Sequence, residues 1–296
     1  MESALHGKGV VKSLRASMLL IPSVILMLIF FIFPIVLTLI FSFTNLALTG
    51  EAASSLQFIG FDNYKKMFAD PSVITSIVNT LIFLVGSSLI GQQLLGFIIA
   101  YCMKNKNTIF RRTIGIIVLA GWILPEVVVA LCMSTFLGDD GTLNAVIRLF
   151  HGTALTWLYT FPMVSIIIAN AWHGTAFSML VFQAALDDVP KDIEEAAIVD
   201  GASGAKVLFY ITLPYIKGSI TTNMMLNTLQ TLGVFGLIYM MTGGGPGTQT
   251  TTLPILMYNQ AFVNYQIGYG TAISMILLVL GVILSTFYTK AMHVKA

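Results

Sequence analysis

The residues that could carry out chemistry are few and scattered along the chain. The four histidines, His6, His151, His173 and His293, stand singly, without an H-E-x-x-H pattern or a Cys/His cluster. The spacing that a metal site needs is therefore missing. The sequence also lacks the G-x-x-x-x-G-K-[ST] loop, whose backbone N–H groups hold nucleotide phosphates. We predict no catalytic residues, no metal site and no ATP hydrolysis by this chain.

Long apolar runs separate these polar residues. Hydrophobic residues make up 56% of the chain and charged residues only 9%, against roughly 25% charged in a soluble domain. A bilayer core about 30 Å thick needs roughly 20 apolar residues per helix. Six runs of suitable length lie near residues 18–43, 73–103, 113–137, 161–186, 218–241 and 267–291. We predict an all-α integral membrane protein, a six-transmembrane-helix bundle forming one transmembrane domain over residues 1–296.

The basic residues predict how the chain is oriented in the membrane. Only Lys65, Lys66 and Arg148 fall on one predicted side, and all other Lys and Arg fall on the opposite side or at its edge. Positive charge that flanks a transmembrane helix stays in the cytoplasm. Both termini and the loop at residues 187–217 are therefore predicted to be cytoplasmic, in a multi-pass protein of the cell membrane. The net charge of +2 reflects this topology and does not indicate nucleic-acid binding.

This loop, called the EAA segment below, contains the polar stretch EEAAIVDGASGAKVLFYITLP at residues 194–214. Glu194 and Glu195 are predicted to face water or a partner on a first short helix. Gly201 ends that helix, Ser203 caps a second one, and Pro214 ends the segment. A helix that lies on lipid usually carries many Lys and Arg residues. The small, acidic surface here therefore favours docking of a protein.

Three amides give the fifth run a polar side. Asn223, Asn227 and Gln230 are spaced i, i+4, i+7 and share one helix face. Amides donate and accept hydrogen bonds, which suits a neutral polyhydroxylated ligand, and Tyr239 or Phe235 could add an aromatic ring face. The alternative is that the amides bind neighbouring helices.

Further polar residues interrupt the third and fourth runs. Glu126 follows Pro125, and an ionisable residue inside a membrane helix is a functional candidate by default. Pro125 predicts a kink at that point. Trp172 and His173 lie near the middle of the fourth run, the depth that transport sites favour. A structural hydrogen bond is the alternative role for Glu126 and His173. No Lys or Arg lies deep in any run, which favours neutral cargo.

The EAA segment resembles the EAA loop of ATP-binding-cassette (ABC) importer permeases of the carbohydrate branch, in particular the maltose-type first permease subunit. Its E-A-A, its glycine and its I-x-L-P match that loop at Glu195, Ala196, Ala197, Gly201, Ile211, Leu213 and Pro214. Asp200 fits the D-G-A variant. DDGTLN at 139–144 and MTGGGPGTQTTTL at 241–253 resemble the same branch.

The resemblance implies a type I ABC importer permease that moves a neutral sugar or oligosaccharide into the cytoplasm. It implies four kinds of partner: a second permease subunit, two cytoplasmic ATPase subunits that bind ATP and Mg²⁺, an extracytoplasmic solute-binding protein and the lipid bilayer. No cofactor is expected in this chain. The ATPase-docking residues would be those of the motif together with Glu194 and Asp200. The substrate pathway would use Asn223, Asn227, Gln230, Tyr239, Trp172, His173 and Glu126.

Several other functions remain open at this point. The nearest is an ABC permease for a glycerol-phosphate ester or another small solute. A six-helix membrane enzyme would need a polar catalytic cluster, and only isolated residues are found. A secondary transporter would have no need of an ATPase-docking loop. The maltose prototype also carries a large inserted external domain, for which this chain has no room, so docking contacts of that domain do not transfer.

Overall fold

The computed structural model describes residues 20–293 of the 296-residue chain. Apart from one isolated bridge between Thr44 and Phe58, the regular structure of these residues is helical. The first two residues of the first predicted run lie outside the described residues, as do both chain ends used to predict the orientation.

The helices follow in chain order. They are α1 (Leu20–Ser42), α2 (Glu51–Ser54), α3 (Asp62–Ala69), α4 (Pro71–Met103), α5 (Thr108–Ile123), α6 (Glu126–Leu137), α7 (Thr142–Leu149), α8 (Trp157–Thr160), α9 (Pro162–Asp187), α10 (Lys191–Val199), α11 (Gly204–Val207), α12 (Leu213–Tyr215), α13 (Lys217–Leu232), α14 (Gly236–Thr242), α15 (Leu253–Tyr258) and α16 (Ile267–His293). Two π-helical segments, Leu208–Thr212 and Asn259–Val263, connect α11 to α12 and follow α15.

Four of these helices are long and apolar enough to cross a membrane, namely α1, α4, α9 and α16. Two further spans are bent pairs: α5 meets the segment Glu126–Leu149 at 102°, and α13 meets α14 at 52°. If each bent pair is one span, the described residues contain up to six spans. The predicted runs 73–103, 161–186 and 267–291 lie close to α4, α9 and α16.

The third and fifth predicted runs are not single straight helices. Leu124, which precedes Pro125, is extended with ψ 135°, as the residue before a proline prefers. This breaks the run 113–137 at the proline that predicted a kink. Within the run 218–241, the helix α13 ends at Leu232 and the helix α14 begins at Gly236. Phe235 between them is non-helical.

Among the described residues, 20–69 and Gln260–Met275 form one compact unit. Its centre is the end of α1, where Ser42 Oγ lies 2.7 Å from the Tyr64 hydroxyl. Asn63 Nδ2 donates to the carbonyl oxygens of Ser42 and Thr44 at 2.9 and 2.8 Å. The first bond satisfies the last carbonyl of α1, which has no partner within the helix, and the second holds the chain just after it.

The second unit comprises Asp70–Asn259 and residues 276–293. Its central contact is between α4 and α9, where a Cβ at Gly91 would lie 2.6 Å from that of Ala171 and one at Gly96 would collide with Ser178. Small residues let membrane helices approach this closely. Asn170 Nδ2 of α9 donates to Ser87 Oγ of α4 at 2.8 Å. Close packing and buried hydrogen bonds therefore join these two spans.

Two apolar clusters extend this contact within the second unit. One joins α6 and α14 to α4 and α9 through buried side chains such as Val129, Ile166 and Leu237. The other lies near the EAA segment and joins α4 to α9 through residues such as Met103 and Phe182. The second halves of the two bent spans are thus packed on a straight pair of helices.

The DDGTLN stretch folds around a fully buried Asn144. Its Nδ2 lies within 3.2 Å of the carbonyl oxygens of Gly138, Asp139 and Leu155. Its Oδ1 accepts from the Leu155 N–H at 3.1 Å and from the Trp157 indole N–H at 3.2 Å. The asparagine closes the loop between α6 and α8, so its role in the motif is structural.

The glycine-rich run after α14 is a tight turn, as its composition predicts. Gly243, Gly244 and Gly247 have positive φ angles of 61°, 95° and 58°, which favour glycine. After the turn the chain returns to α4, where Asn79 Nδ2 donates to the carbonyl oxygens of Thr248 and Thr251 at 2.8 and 3.1 Å.

We expect Asn144→Ala to lower the free energy of unfolding by about 2–4 kcal/mol, because it leaves buried backbone and indole donors unpaired. The thermal unfolding midpoint in detergent measures this loss. Asn264→Ala is the matched control, since Asn264 is exposed and makes one bond, to Gln260. Equal midpoints for the two variants would contradict the structural role of Asn144.

Candidate functional site

The EAA segment forms two short helices separated by a glycine turn. The helix α10 ends where Gly201 adopts φ 83°, and the Ala202 N–H donates to the Ala197 carbonyl at 2.9 Å. Ser203 caps α11, its Oγ accepting from the Lys206 N–H at 3.5 Å. The predicted pair of short helices separated at Gly201 is confirmed. No heavy atom lies within 4 Å of a Cβ at Gly201, so the glycine is needed here for its backbone conformation.

One side of the EAA segment is open. Glu195, Ala196, Asp200, Gly201 and Pro214 are exposed, whereas Ala197, Ile211 and Leu213 are half-buried. Large apolar side chains beside them are also exposed, with Val199 at 86% and Tyr210 at 79%. A contiguous exposed apolar surface commonly marks a protein contact. The exposed residues of the predicted docking set are therefore available to a partner.

Glu194 is the exception, and its predicted exposure is wrong. Its side chain is only 15% exposed, and the Lys104 Nζ lies 2.5 and 2.7 Å from its two carboxylate oxygens. The Thr212 hydroxyl donates to Oε1 at 2.7 Å. The side of α10 that carries Glu194 faces the end of α4, where Lys104 supplies the countercharge. Glu194 therefore holds the EAA segment in place and is not presented to a partner.

Two opposing effects act on this carboxyl group. Burial alone would raise the pKa of Glu194, but hydrogen bonds from Lys104 and Thr212, together with the Lys104 charge, lower the pKa below its ordinary value. A lowered carboxyl pKa stabilises the fold at pH values above the unfolded pKa, and this contribution is lost as pH falls through the folded pKa. The Glu194 carboxyl group is therefore ionised at neutral pH.

A second ion pair ties the start of the EAA segment to α5. Arg111 Nη2 contacts the Asp187 carboxylate at the end of α9. Asp187 is 46% exposed and Arg111 27% exposed, so this pair is more hydrated than the pair at Glu194. Partly exposed ion pairs stabilise a protein little. We therefore assign the main anchoring role to Glu194.

The two bent spans meet at their breaks. Glu126 is the first residue of α6, directly after the break at Pro125, and Gly236 is the first residue of α14. A Cβ at Gly236 would lie 3.0 Å from Glu126 Oε2. The carboxylate is exposed and sits at the positive end of a helix, a position that favours negative charge. Glu126 and Gly236 therefore mark the point where the two bent spans meet, called the crossing below. The role of Glu126 in a substrate pathway stays a prediction.

His173 holds the first of these breaks. Its Nε2 lies 3.2 Å from the carbonyl oxygen of Leu124, a group left without a helical partner by the bend. This contact supports the structural alternative for His173. Trp172 is 44% exposed and lines a mainly apolar groove of about 730 Å³ beside Leu131 and Ile168. The groove has few polar groups that could bind a polar substrate.

The three amides of α13 differ in exposure, and two of them take the alternative role of binding neighbouring helices. Asn223 is fully buried and donates to Gln93 Oε1 at 3.0 Å. Asn227 is 1% exposed and donates to Ser178 Oγ at 2.6 Å. Both bind neighbouring helices, because an unpaired amide in an apolar interior is costly. Gln230 is exposed and remains the available member of the row.

An aromatic trio lies beside the crossing. Phe235 and Tyr239 are stacked with centroids 5.1 Å apart, and Tyr258 of α15 is 4.9 Å from Phe235 and 5.1 Å from Tyr239. Tyr239 is 38% exposed. Sequence reasoning missed Tyr258, because no helical periodicity connects α15 to α14. The one available signal was that Tyr258 begins the stretch YNQAF, which follows the run 241–253 that resembles the carbohydrate branch.

The crossing and the aromatic trio beside it offer rings, hydroxyls and one carboxylate, but no Lys or Arg of the described helices. No Lys or Arg occurs in α4, α6, α9, α14 or α15, and α5 and α13 carry them only near their beginning. Ring faces and groups that both donate and accept suit neutral hydroxylated molecules. An anion would find no guanidinium or ammonium partner at this point in the chain.

A family model described as "Binding-protein-dependent transport system inner membrane component" matches residues 92–291. The matched region includes the EAA segment and both bent spans. The chain belongs to this family. It is a permease subunit of an ABC importer. ATP hydrolysis by the importer takes place in a partner subunit. The family description makes it a multi-pass membrane component that works with a binding protein.

Curated relatives match almost the whole chain. The sulfoquinovosyl glycerol permease SmoG of Agrobacterium fabrum is 30% identical over 95% of this chain and 91% of its own length. The multiple sugar-binding permease MsmF of Streptococcus mutans is 31% identical over 92% of both chains. The sn-glycerol-3-phosphate permease UgpA of A. fabrum is 30% identical over 91% of this chain and 92% of its own.

A solved structure supports the fold. A chain of the bacterial alginate ABC transporter, crystallised with an alginate pentasaccharide-bound periplasmic protein, matches with a TM-score of 0.80. The two chains are 23% identical, and the match covers 95% of this chain and 94% of the other. The protein therefore has the all-α fold of type I ABC importer permeases. The predicted family and fold are confirmed.

The burial of the amides gives a test that separates packing from a substrate role. We expect Asn227→Ala to destabilise the protein by about 1 kcal/mol, the size typical of a hydrogen bond between membrane helices. Gln230→Ala should leave the thermal unfolding midpoint unchanged and reduce uptake in the assembled transporter. The reverse pattern, a lower midpoint for Gln230→Ala and lower uptake alone for Asn227→Ala, would contradict this assignment.

Proposed function

We propose that this permease subunit moves a neutral sugar or oligosaccharide into the cytoplasm and is driven by an ATPase that docks on the EAA segment. One observation carries the docking proposal: Glu195 and Gly201 are exposed on a segment whose other side is fixed by Glu194. A partner that binds the open side meets a surface already held in position. Binding energy is then not spent on ordering a flexible loop.

The chemistry of the open side fits a cleft on another protein. Glu195 can pair with a basic residue, and the small side chains of Ala196 and Gly201 allow a partner backbone to come close. Exposed Val199 and Tyr210 add apolar area at the edge. In this proposal two ATPase subunits, which bind ATP and Mg²⁺, serve this chain and a second permease subunit, and this chain holds no cofactor.

The proposed orientation puts the EAA segment and both termini in the cytoplasm. The distribution of Lys and Arg supports it, because positive charge near membrane helices is retained on that side. The loop at 138–157 and the turn at 243–247 would then face outward. There an extracytoplasmic solute-binding protein would deliver the cargo to the permease pair within the cell membrane.

The crossing of the bent spans supports neutral cargo. Tyr239 is exposed beside the crossing, and exposed Gln230 lies on α13 before the second break. Sugar rings combine apolar faces with hydroxyl groups. Glu126 could accept hydrogen bonds from hydroxyls and would repel an anion. The name of MsmF points to sugars, in agreement with this chemistry.

A glycerol-phosphate ester is the second candidate cargo, because UgpA is about as similar to this chain as MsmF is. Transport of a phosphate ester is easiest to explain with a cation in the pathway. This chain has none near Glu126, so a partner subunit would have to supply it. We therefore favour the neutral sugar.

Docking can be tested with single substitutions in the EAA segment. We expect Glu195→Lys to reduce uptake at least about tenfold, within the range of typical coupling free energies, because it reverses a charge on the open side. Gly201→Asp should act similarly, because it adds a side chain to the open side. It also strains the backbone, since residues other than glycine rarely adopt this positive φ. Uptake and ATPase co-purification are the measurements.

Gly204→Asp is the matched control for Gly201→Asp. Gly204 is exposed, has open space around it and begins α11, where an acidic side chain is favourable. It should transport like the unmodified protein. Full uptake by both Glu195→Lys and Gly201→Asp would rule out docking at this surface.

The cargo proposal can be tested at the aromatic trio. We expect Tyr239→Ala to raise the sugar concentration needed for half-maximal uptake by about threefold to tenfold, the loss expected for a ring contact. Tyr239→Phe keeps the ring and should have a smaller effect. The measurement is uptake in proteoliposomes with a panel of neutral sugars and sn-glycerol 3-phosphate. Transport of the phosphate ester alone would overturn the neutral-sugar proposal.

A further inference from the structure

We propose that Lys104 and Glu194 form a positioning pair that passes movement of the EAA segment directly to α4. By chain connectivity the EAA segment is joined only to α9 and α13. The pair adds a third connection, to a span that lies far away in sequence. This inference rests on the proposed ATPase docking and adds a route by which docking acts on the membrane helices.

The geometry of the pair is that of a fixed joint. Lys104 binds both oxygens of Glu194, and Thr212 binds one of them, so three separate stretches of chain meet at one carboxylate. The side chains of Lys104 and Glu194 are 12% and 15% exposed. Removing one member of a largely buried pair leaves the other charge without compensation. The joint therefore resists separation when α10 is pushed.

The backbone at Lys104 is also well defined. Its N–H donates to the carbonyl oxygens of Ala100 and Tyr101 at 3.0 and 3.1 Å, which continues the last turn of α4. Asn105 then reverses the chain with φ 62°, and the Lys106 N–H returns to the Met103 carbonyl at 3.1 Å. A displacement of the Lys104 side chain is thus transmitted to the helix and is not absorbed by a loose loop.

From Lys104, α4 reaches both helices that flank the EAA segment. Gln92 Nε2 donates to the Asn170 carbonyl of α9 at 3.1 Å, and Gln93 Oε1 accepts from Asn223 of α13 at 3.0 Å. These side chains are buried. The helix α4 can therefore move these two spans together, with buried contacts on each side.

The opposite part of α4 contacts the segment that carries Tyr258. Thr80 Oγ1 accepts from the Leu253 N–H, the first residue of α15, at 2.9 Å. Asn79 holds the preceding turn through two carbonyl groups. Tyr258 is the last residue of α15 and belongs to the aromatic trio. A continuous series of contacts in α4 thus runs from the EAA segment to the proposed sugar contact and provides a physical route for coupling between the two sites.

Lys106 provides a matched control for Lys104. It lies two residues away, is exposed, and takes part in none of the ion pairs of the described residues. A general effect of positive charge at this membrane surface would appear in both lysines. An effect of the positioning pair should appear only at Lys104.

The experiment uses the complete transporter in lipid and measures uptake per ATP hydrolysed, together with ATPase co-purification. We expect Lys104→Met to reduce uptake per ATP by about tenfold while the ATPase still co-purifies, and Lys106→Met to match the unmodified protein. Glu194→Gln should resemble Lys104→Met. The exchange Lys104→Glu with Glu194→Lys restores opposite charges and should bring uptake per ATP back to within about threefold.

The outcomes separate this inference from the docking proposal. If Lys104→Met retains normal uptake per ATP, or if the exchange assembles but restores nothing, the positioning pair is wrong. If no ATPase co-purifies with the unmodified subunit, the docking proposal itself fails. Loss of assembly in Lys104→Met that the exchange repairs without repairing uptake would also overturn the inference, because the pair would then serve folding alone.

Discussion

A buried polar side chain that lacks a partner is costly among apolar helices, because no water is present there to bind it. This constraint determines how the spans of the second unit pack. Asn170 binds Ser87, Asn223 binds Gln93, and Asn227 binds Ser178. Each bond joins two helices, and the nearby glycines let those helices come close enough for short side chains to meet. The amides are therefore part of the scaffold that fixes the crossing.

The same constraint explains why the breaks in the bent spans are informative. A break frees backbone groups, and a free group in the membrane must be bound or must face a polar space. At the first break His173 binds the Leu124 carbonyl, while Glu126 and the start of α6 stay exposed. At the second, the backbone at Gly236 lies against Glu126. Two irregular stretches side by side are where polar cargo can be accommodated among apolar helices.

Much of the fold could be predicted from the sequence, because each span and turn is determined locally. Apolar runs indicate spans by length, Pro125 indicates a bend, and Gly201 with Ser203 specifies a turn between short helices. The roles of individual polar side chains could not be predicted in the same way. Whether Asn223 faces a pathway or a neighbour depends on Gln93, which lies 130 residues away. Helical periodicity defines which residues share a helix face, but it does not define which residues of other helices that face contacts.

Glu194 and Glu195 show most clearly that neighbouring residues of one motif can have different surroundings and different roles. Successive residues of an α-helix point about 100° apart, so these two carboxylates cannot face the same surroundings. Lys104 binds one and leaves the other open to a partner. In the proposed coupling, a force applied at Glu195 would reach the anchored side of the same helical turn. The acidic pair would then act as a short rigid link, because its first member is largely buried and paired with Lys104.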